Sequence, residues 1–337
     1  MSDNVVPWSS RIGAWQARLA ARRALSLARG SLGLPAFGAG APAPVVKHEI
    51  PPLSFDGEAL RWRLVPHEGS EKGSTTLEVE MHREPCNEIG TTCLTELEKL
   101  ATLVRAGAGG ASALLFFSSV RRGFSAGADL RELHEGLVAG NKGSLLARTG
   151  LGKLGMAHEV RGFIDRIHAV FNTLDMAPIT TIAAVHGVCF GGGFELALTA
   201  DIIVADKSAR FAFPELRLGL VPGFGGIPRL RRDLGNAVVR DILLTGRSLN
   251  AKRAREVGLV SQVVARGEAV SVARKVAEQA GRFDAATTAR AKAFTKTLPH
   301  EELEREKDLF IEMMGSPVVE AALRRFVEST DVRPYLP

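Results

Sequence analysis

Glu195 and Glu215 sit in sequence surroundings that favour burial. Glu195 lies between Phe194 and Leu196, and Glu215 lies between Pro214 and Leu216. Burying a carboxylate without a partner is costly, and burial or a nearby like charge raises its pKa toward the range useful for proton transfer. Glycines surround both: Gly191, Gly192 and Gly193 precede Glu195, and Gly223, Gly225 and Gly226 follow Glu215. A second glycine turn of similar form runs from Gly123 through Ala126, Gly127 and Ala128 to Leu130. Small residues there let another group approach the backbone, and a helix beginning at such a turn leaves its first N–H groups unpaired. Two N–H groups aimed at one point form an oxyanion hole, which stabilises a carbonyl oxygen gathering negative charge. Either turn alone is explained by tight strand–helix packing, and either glutamate alone by solvation. Two turns and two carboxyls together predict a site for proton transfer beside a polarised carbonyl.

A rival motif is present. Gly150, Gly152 and Gly155 match G-x-G-x-x-G, with Asp175 at the distance of a ribose-binding acid. That fingerprint needs a strand to deliver the first glycine to a helix N-terminus. Residues 141 to 149 contain no strand pattern, so the segment is read as a flexible loop rather than a dinucleotide site.

The elements that must carry the two turns alternate strand and helix, the pattern of a layered α/β body with crossover connections. Leu77 to His82 alternates apolar and polar, as a half-buried strand does, and Leu94 to Val104 has helical spacing. Ala113 to Ser119, Thr180 to Val185 and Ile202 to Ala205 read as strands, the first two leading into the turns. Between them, Val160, Phe163, Ile164, Ile167, Val170, Phe171 and Leu174 share one helical face. From Gly267 onward nearly everything reads as helix, including Arg290 to Thr297 and Leu303 to Met314.

The 337 residues are 45% hydrophobic and 24% charged, which excludes a disordered or collagen-like chain. No apolar run approaches the length of a membrane span. Cys86, Cys93 and Cys189 form no C-x-x-C pair, which argues against a disulfide framework or a thiolate zinc site and fits a reducing compartment. The net charge of +6 is uneven: residues 1–48 hold six basic residues against Asp3, leaving 37 basic and 36 acidic elsewhere. Residues 1–50 therefore read as a basic extension and linker, with Trp8, Ile12, Trp15 and Leu19 on one helical stripe. Such an acid-poor, Arg-rich start fits an organelle transit peptide or a docking helix. The near-neutral body makes nucleic acid the weaker reading of the charge.

At the glycine turns and glutamates the sequence resembles the enoyl-CoA hydratase/isomerase (crotonase) superfamily. The resemblance rests on Phe124 to Leu130, Ala184 to Leu196, Ala200 to Ile203, Phe213 to Gly223, Gly225 to Leu230, Leu244 to Gly246 and Gly258 to Val260. It implies a crotonase-like α/β fold of repeated ββα units, with a core over residues 51–265 and a helical oligomerisation region over 266–337. It implies an oxyanion hole from the N–H groups of Ala128 and Gly192, and catalytic acids at Glu195 and Glu215, the latter protonating Cα of a 2-enoyl-CoA. Contacts to coenzyme A are implied for Asn87, Ala126, Gly127, Arg131, Phe310 and Phe326. The expected reaction is hydration to a 3-hydroxyacyl-CoA, the alternative being double-bond isomerisation or another acyl-CoA reaction of the superfamily. The implied enzyme needs no metal or other cofactor, coenzyme A being part of the substrate, and assembles as a homotrimer or hexamer. A cytoplasmic location is expected, or a mitochondrial one if residues 1–50 are a transit peptide. The stretch around 136–157 exceeds that of compact hydratases and borders the acyl pocket in the family, so acyl-chain specificity does not transfer.

Overall fold

The computed structural model describes residues 50–67, 73–142 and 151–329. The basic arm, with the helix and address read in it, lies outside these residues. Contacts gather the chain from Ile50 onward into one compact unit.

Strand β1 (Phe55–Asp56) pairs antiparallel with β2 (Leu60–Pro66), and β2 with β3 (Thr75–Met81). Helix α1 (Thr91–Arg105) then crosses over to β4 (Ala113–Ser118), which lies parallel to β3 with Val79 opposite Phe116. A short strand β5 (Gly123–Ser125) leads into α2 (Leu130–Lys142) and, beyond it, α3 (Leu151–Asp175). The unit repeats as β6 (Thr180–Val185), β7 (Val188–Phe190) and α4 (Gly192–Ala197). It returns as β8 (Ile202–Asp206), β9 (Arg210–Ala212) and a 3₁₀ turn over Glu215–Leu218. There follow α5 (Gly226–Leu234), α6 (Asn236–Thr245), β10 (Leu249–Asn250), α7 (Ala251–Glu256), β11 (Gln262–Val264) and α8 (Ala269–Ala280). The tail is α9 (Ala285–Thr295), α10 (His300–Met314) and α11 (Pro317–Glu328).

The long strands form one sheet in the order β1-β2-β3-β4-β6-β8-β11, and the short ones a second, β10-β9-β7-β5. Each repeat thus runs from the large sheet to the small one and then into a helical turn. That route brings both glycine turns to the helix-bearing ends of neighbouring parallel strands, β5 and β7. The crotonase-like ββα repetition is what the structure shows.

Two expectations need correction. The strand at Thr75–Met81 is not half-buried, because Ala269, Ala273 and Ala277 of α8 cover the second face of the sheet against Leu115, Ile182 and Val204. Glu78 is therefore 2% exposed, and the Arg274 guanidinium of α8 donates to both its oxygens at 2.6 and 2.9 Å. The residues from Leu151 to Gly155 are helix rather than loop, the first turn of α3. In α3, Ile164, Ile167, Val170, Phe171 and Leu174 are buried as their spacing predicts, while Val160 and Phe163 are half-buried.

Candidate active site

The first turn is locked by side chains flanking it. Asn87, held at φ +51°, donates through Nδ2 to Ser118 Oγ at 2.8 Å and to the Phe124 carbonyl at 2.9 Å. Ser125 Oγ donates to the Asn87 carbonyl at 2.7 Å and accepts from the Gly127 N–H at 3.1 Å. The Ile89 N–H donates to the Gly127 carbonyl and the Asp129 N–H to the Ile89 carbonyl, at 2.8 and 3.1 Å. The N–H groups of Ala126, Gly127 and Asp129 are all engaged, and the Ala128 N–H donates to no protein acceptor among the described residues.

The second turn touches the first. Gly127 has φ +100°, and a Cβ there would lie 3.0 Å from Gly192 N and 2.9 Å from the Phe190 carbonyl. A Cβ on Gly192 would lie 3.4 Å from Ala128 N and 2.7 Å from the Phe224 ring. Only glycine permits this approach. The Gly192 N–H opens α4 and has no helical partner. The two free N–H groups therefore lie side by side where an anionic oxygen can accept from both.

The two carboxyls converge on the same place from different elements. Glu195, 2% exposed in the first turn of α4, accepts at Oε1 from the Phe224 and Gly226 N–H groups, both at 2.8 Å. Burial pushes its carboxyl up to about 7, while the two N–H bonds and Arg229 restrain the rise. Glu215 stands on the 3₁₀ turn and is half-buried as a residue, but its Oε2 is sealed without a hydrogen-bond partner. A Cβ on Gly191, φ +48°, would lie 2.6 Å from Glu215 Oε1, so glycine makes room for the carboxyl. Burial and the Glu195 charge hold Glu215 well above the usual carboxylate range. Near neutral pH one carboxyl is thus poised to take a proton and the other to give one.

Glu195 and Glu215 line a cavity of about 50 Å³ together with Ala126, Ala128, Gly192 and Phe310, room for a water. It shares Ala128, Leu133, Phe224 and Phe310 with a cavity of about 490 Å³ between α2 and α3, walled by Phe163, Val160 and Ile164. A larger cavity of about 600 Å³ beside α9, lined by Asp201, Lys292 and Lys296, contains none of these residues.

Other residues named from the sequence fall at varied distances from this centre. Phe310 of α10 is in it, Ala126 lines it, and Gly127 is buried beside it. Asn87 is buried and spends its Nδ2 on the turn. Arg131 is exposed on α2, and Phe326 is half-buried on α11; neither lines the small or the adjoining cavity. Sequence reasoning missed Glu306 of α10, 5% exposed, which accepts from the Gly225 N–H at 2.6 Å and the Ile227 N–H at 2.9 Å. Its spacing of four from Phe310 put it on the buried face of α10, a signal hidden by the charged run from Glu301 to Asp308.

Glu215→Gln tests the buried-carboxyl reading through stability. A folded pKa above the ordinary 4.5 means that, between the two values, the folded state keeps a proton the unfolded chain has released. Stability then falls as pH rises through that window. Glutamine lacks the titration, so its melting temperature should gain on wild type as pH rises above the ordinary carboxylate value. A difference that does not change with pH would mean a solvated carboxyl.

A family model described as "Enoyl-CoA hydratase/isomerase" matches residues 152–333, which include the second turn and both glutamates. The mouse protein "Enoyl-CoA hydratase domain-containing protein 2, mitochondrial" is 39% identical over 155 residues, 46% of this chain and 46% of its own length. "Carnitinyl-CoA dehydratase" of Proteus mirabilis is 48% identical over 98 residues, 29% of this chain and 38% of its own length. The matched stretches thus span less than half the length of these curated relatives. The crystal structure of carnitinyl-CoA hydratase from Mycobacterium avium shares the fold, with a TM-score of 0.63 at 23% identity over 80% of this chain and 96% of that one.

Proposed function

The chain belongs to the enoyl-CoA hydratase/isomerase family, and from that premise we propose that it adds water across the 2,3 double bond of a 2-enoyl-CoA. The observation that carries the reading is the pairing of two buried carboxyls with opposed environments at one water-sized cavity beside two free N–H groups.

The thioester carbonyl accepts from the Ala128 and Gly192 N–H groups, which draws electron density from Cβ. Ionised Glu195, its Oε1 fixed by Phe224 and Gly226, takes a proton from the cavity water as that oxygen bonds to Cβ. The π electrons move toward the thioester, forming an enolate whose oxygen is held by the same N–H pair. Protonated Glu215 then delivers its proton to Cα, giving the 3-hydroxyacyl-CoA. Glu195 ends protonated and Glu215 ionised, and one proton exchange resets them. The reverse sequence eliminates water with the same groups, which accommodates relatives named as hydratases and as dehydratases alike. The acyl chain extends into the cavity between α2 and α3. No metal or further cofactor takes part in this scheme.

The second reading, double-bond isomerisation, uses the same two carboxyls to move a proton between Cα and Cγ. Product analysis in isotopically labelled water separates the two. Hydration places solvent oxygen at Cβ; a shifted double bond without labelled oxygen would overturn the hydratase reading in favour of isomerisation. We propose likewise a trimeric or hexameric assembly through the helical tail and a cytoplasmic location, or an organellar one if residues 1–50 are a transit peptide. Among the described residues no helix is long and apolar enough to cross a membrane.

A further inference from the structure

The turn that holds Glu195 is itself held from the far side. Four successive backbone N–H groups alternate between two buried carboxyls. Phe224 and Gly226 donate to Glu195 at 2.8 Å each, and Gly225 and Ile227 donate to Glu306 at 2.6 and 2.9 Å. These groups open α5, where no helical acceptor exists for them. The turn is glycine-rich and so has little conformational preference of its own. Glu195 is anchored through Oε1 alone, whereas Glu306 uses both oxygens from a fifteen-residue helix packed on α3 and α5.

We propose that Glu306 is a positioning residue for Glu195: its two carboxylate oxygens clamp Gly225 and Ile227 so that the interleaved Phe224 and Gly226 N–H groups stay aimed at Glu195 Oε1. The inference rests on the reading of Glu195 as the base that activates water. It gives a helix of the C-terminal region a task in the chemistry that sequence matching to coenzyme A contacts does not supply. Two N–H bonds favour the ionised carboxylate, so a loosened turn makes Glu195 harder to ionise.

Glu306 faces Glu195 across the turn, and burial first, then the Glu195 charge, holds its own carboxyl well above the usual carboxylate range, while the Ile227 and Gly225 N–H groups and Arg229 restrain the rise. Arg229 faces both carboxyls from α5 and is paired with Asp175 of α3 at 2.8 Å. Glu215 faces Glu195 across the cavity. On α10, Lys307 is paired with Asp165 and Glu304, and Glu302 is paired with Arg231 of α5. His168 of α3 donates through Nε2 to the Gly223 carbonyl at 2.8 Å, and burial first of all drives its pKa down to about 3, so it is neutral. Arg161 of α3 is occupied by Asp165, Glu304 and Asp308.

Glu306→Gln is the test, because glutamine keeps the shape but sets an NH₂ group against one of the two N–H donors. Carbon-13 NMR of glutamate-labelled full-length protein, with the Glu195 signal assigned by its absence from Glu195→Gln, reads the ionisation of Glu195 without any substrate. The expected result is a Glu195 titration shifted upward by about one pH unit, and an acidic limb of kcat/KM that moves with it. At pH 6, where the base is then mostly protonated, kcat should fall about tenfold with KM nearly unchanged. A lower melting temperature with an unmoved Glu195 titration would reduce Glu306 to a structural cap and overturn the proposal. A downward shift would overturn it too, by showing that Glu306 acts as a like charge. Should glutamine unfold the protein, Glu306→Asp, which reaches one N–H but not both, takes its place with the same expectations. An intact titration shift in a protein that does not hydrate enoyl-CoA would sink the hydratase reading and leave the clamp standing.

Discussion

Glu215→Gln and Glu195→Gln are each expected to slow hydration of crotonyl-CoA by about 10²- to 10⁴-fold, the range for removing a general acid or base. Neither should unfold the protein. At position 195 an amide oxygen still accepts from Phe224 and Gly226, whose N–H groups need only an acceptor. At position 215 the change removes a buried carboxyl that has no partner for Oε2. What disappears in the first case is a group that can take a proton, and in the second a group that can give one. The variants should therefore differ in solvent hydrogen exchange at Cα of the 3-hydroxyacyl-CoA, where Glu215 removes and returns the Cα proton through the enolate without loss of the hydroxyl. In the proposed scheme the two carboxyls serve one reaction, so the double variant should be scarcely slower than either single one. Following the enoyl-thioester absorbance checks all three. Full activity in Glu215→Gln would sink its assignment as the acid, and additive losses would show that the carboxyls serve separate steps.

Why the glutamates were legible and Glu306 was not comes down to local context. Glu195 and Glu215 are flanked by apolar residues and glycine turns, so their burial is written in their immediate neighbours. Glu306 stands in a run of charges that describes a solvated helix face, and only the packing of α10 on α3 and α5 turns it inward. The same asymmetry runs through the fold. Thr180–Val185 matches its expected span because a parallel strand covered on both sides is a continuous apolar run. The strand at Thr75–Met81 reads as half-buried because its alternating glutamates imitate a solvent face, whereas the guanidinium that pairs with Glu78 lies 196 residues away in sequence. The small sheet of two- and three-residue strands left no periodic signal, being too short for a repeat of two to register. Gly152 and Gly155 resemble a fingerprint, yet they lie inside the opening turns of α3, where no strand delivers them.

Asp175, the acid that completed that false fingerprint, carries the second large expectation: Asp175→Ala should cost about 3–5 kcal/mol of stability, the loss on stripping one partner from a buried ion pair. For a domain of this size that is a fall of roughly 10 °C in melting temperature. The carboxylate is fully buried and meets Arg229 at 2.8 Å, Arg232 at 3.0 Å and Lys296 at 2.9 Å. Burial alone would raise its pKa, but Arg229, Lys296 and Arg232 overcome that and hold it below the ordinary value. A depressed acid stabilises the fold above its unfolded pKa, and the gain is lost as pH falls through the folded one. The penalty in Asp175→Ala should accordingly be full at neutral pH and shrink in acid. A loss below about 1 kcal/mol would mean that the stranded cations reach water. The loss extends to the chemistry because of where Arg229 points next: Nη1 donates to the Phe224 and Gly225 carbonyls at 3.1 and 3.2 Å, on the turn whose N–H groups hold Glu195. With Asp175 removed, Arg229 has an unmatched charge and keeps only Asn172 as its anchor on α3, so the turn is held less firmly there while His168 and Glu306 still hold it. The variant that remains folded at low temperature should therefore also lose kcat. That coupling separates a buried pair that stabilises the fold alone from one that also sets the position of Glu195.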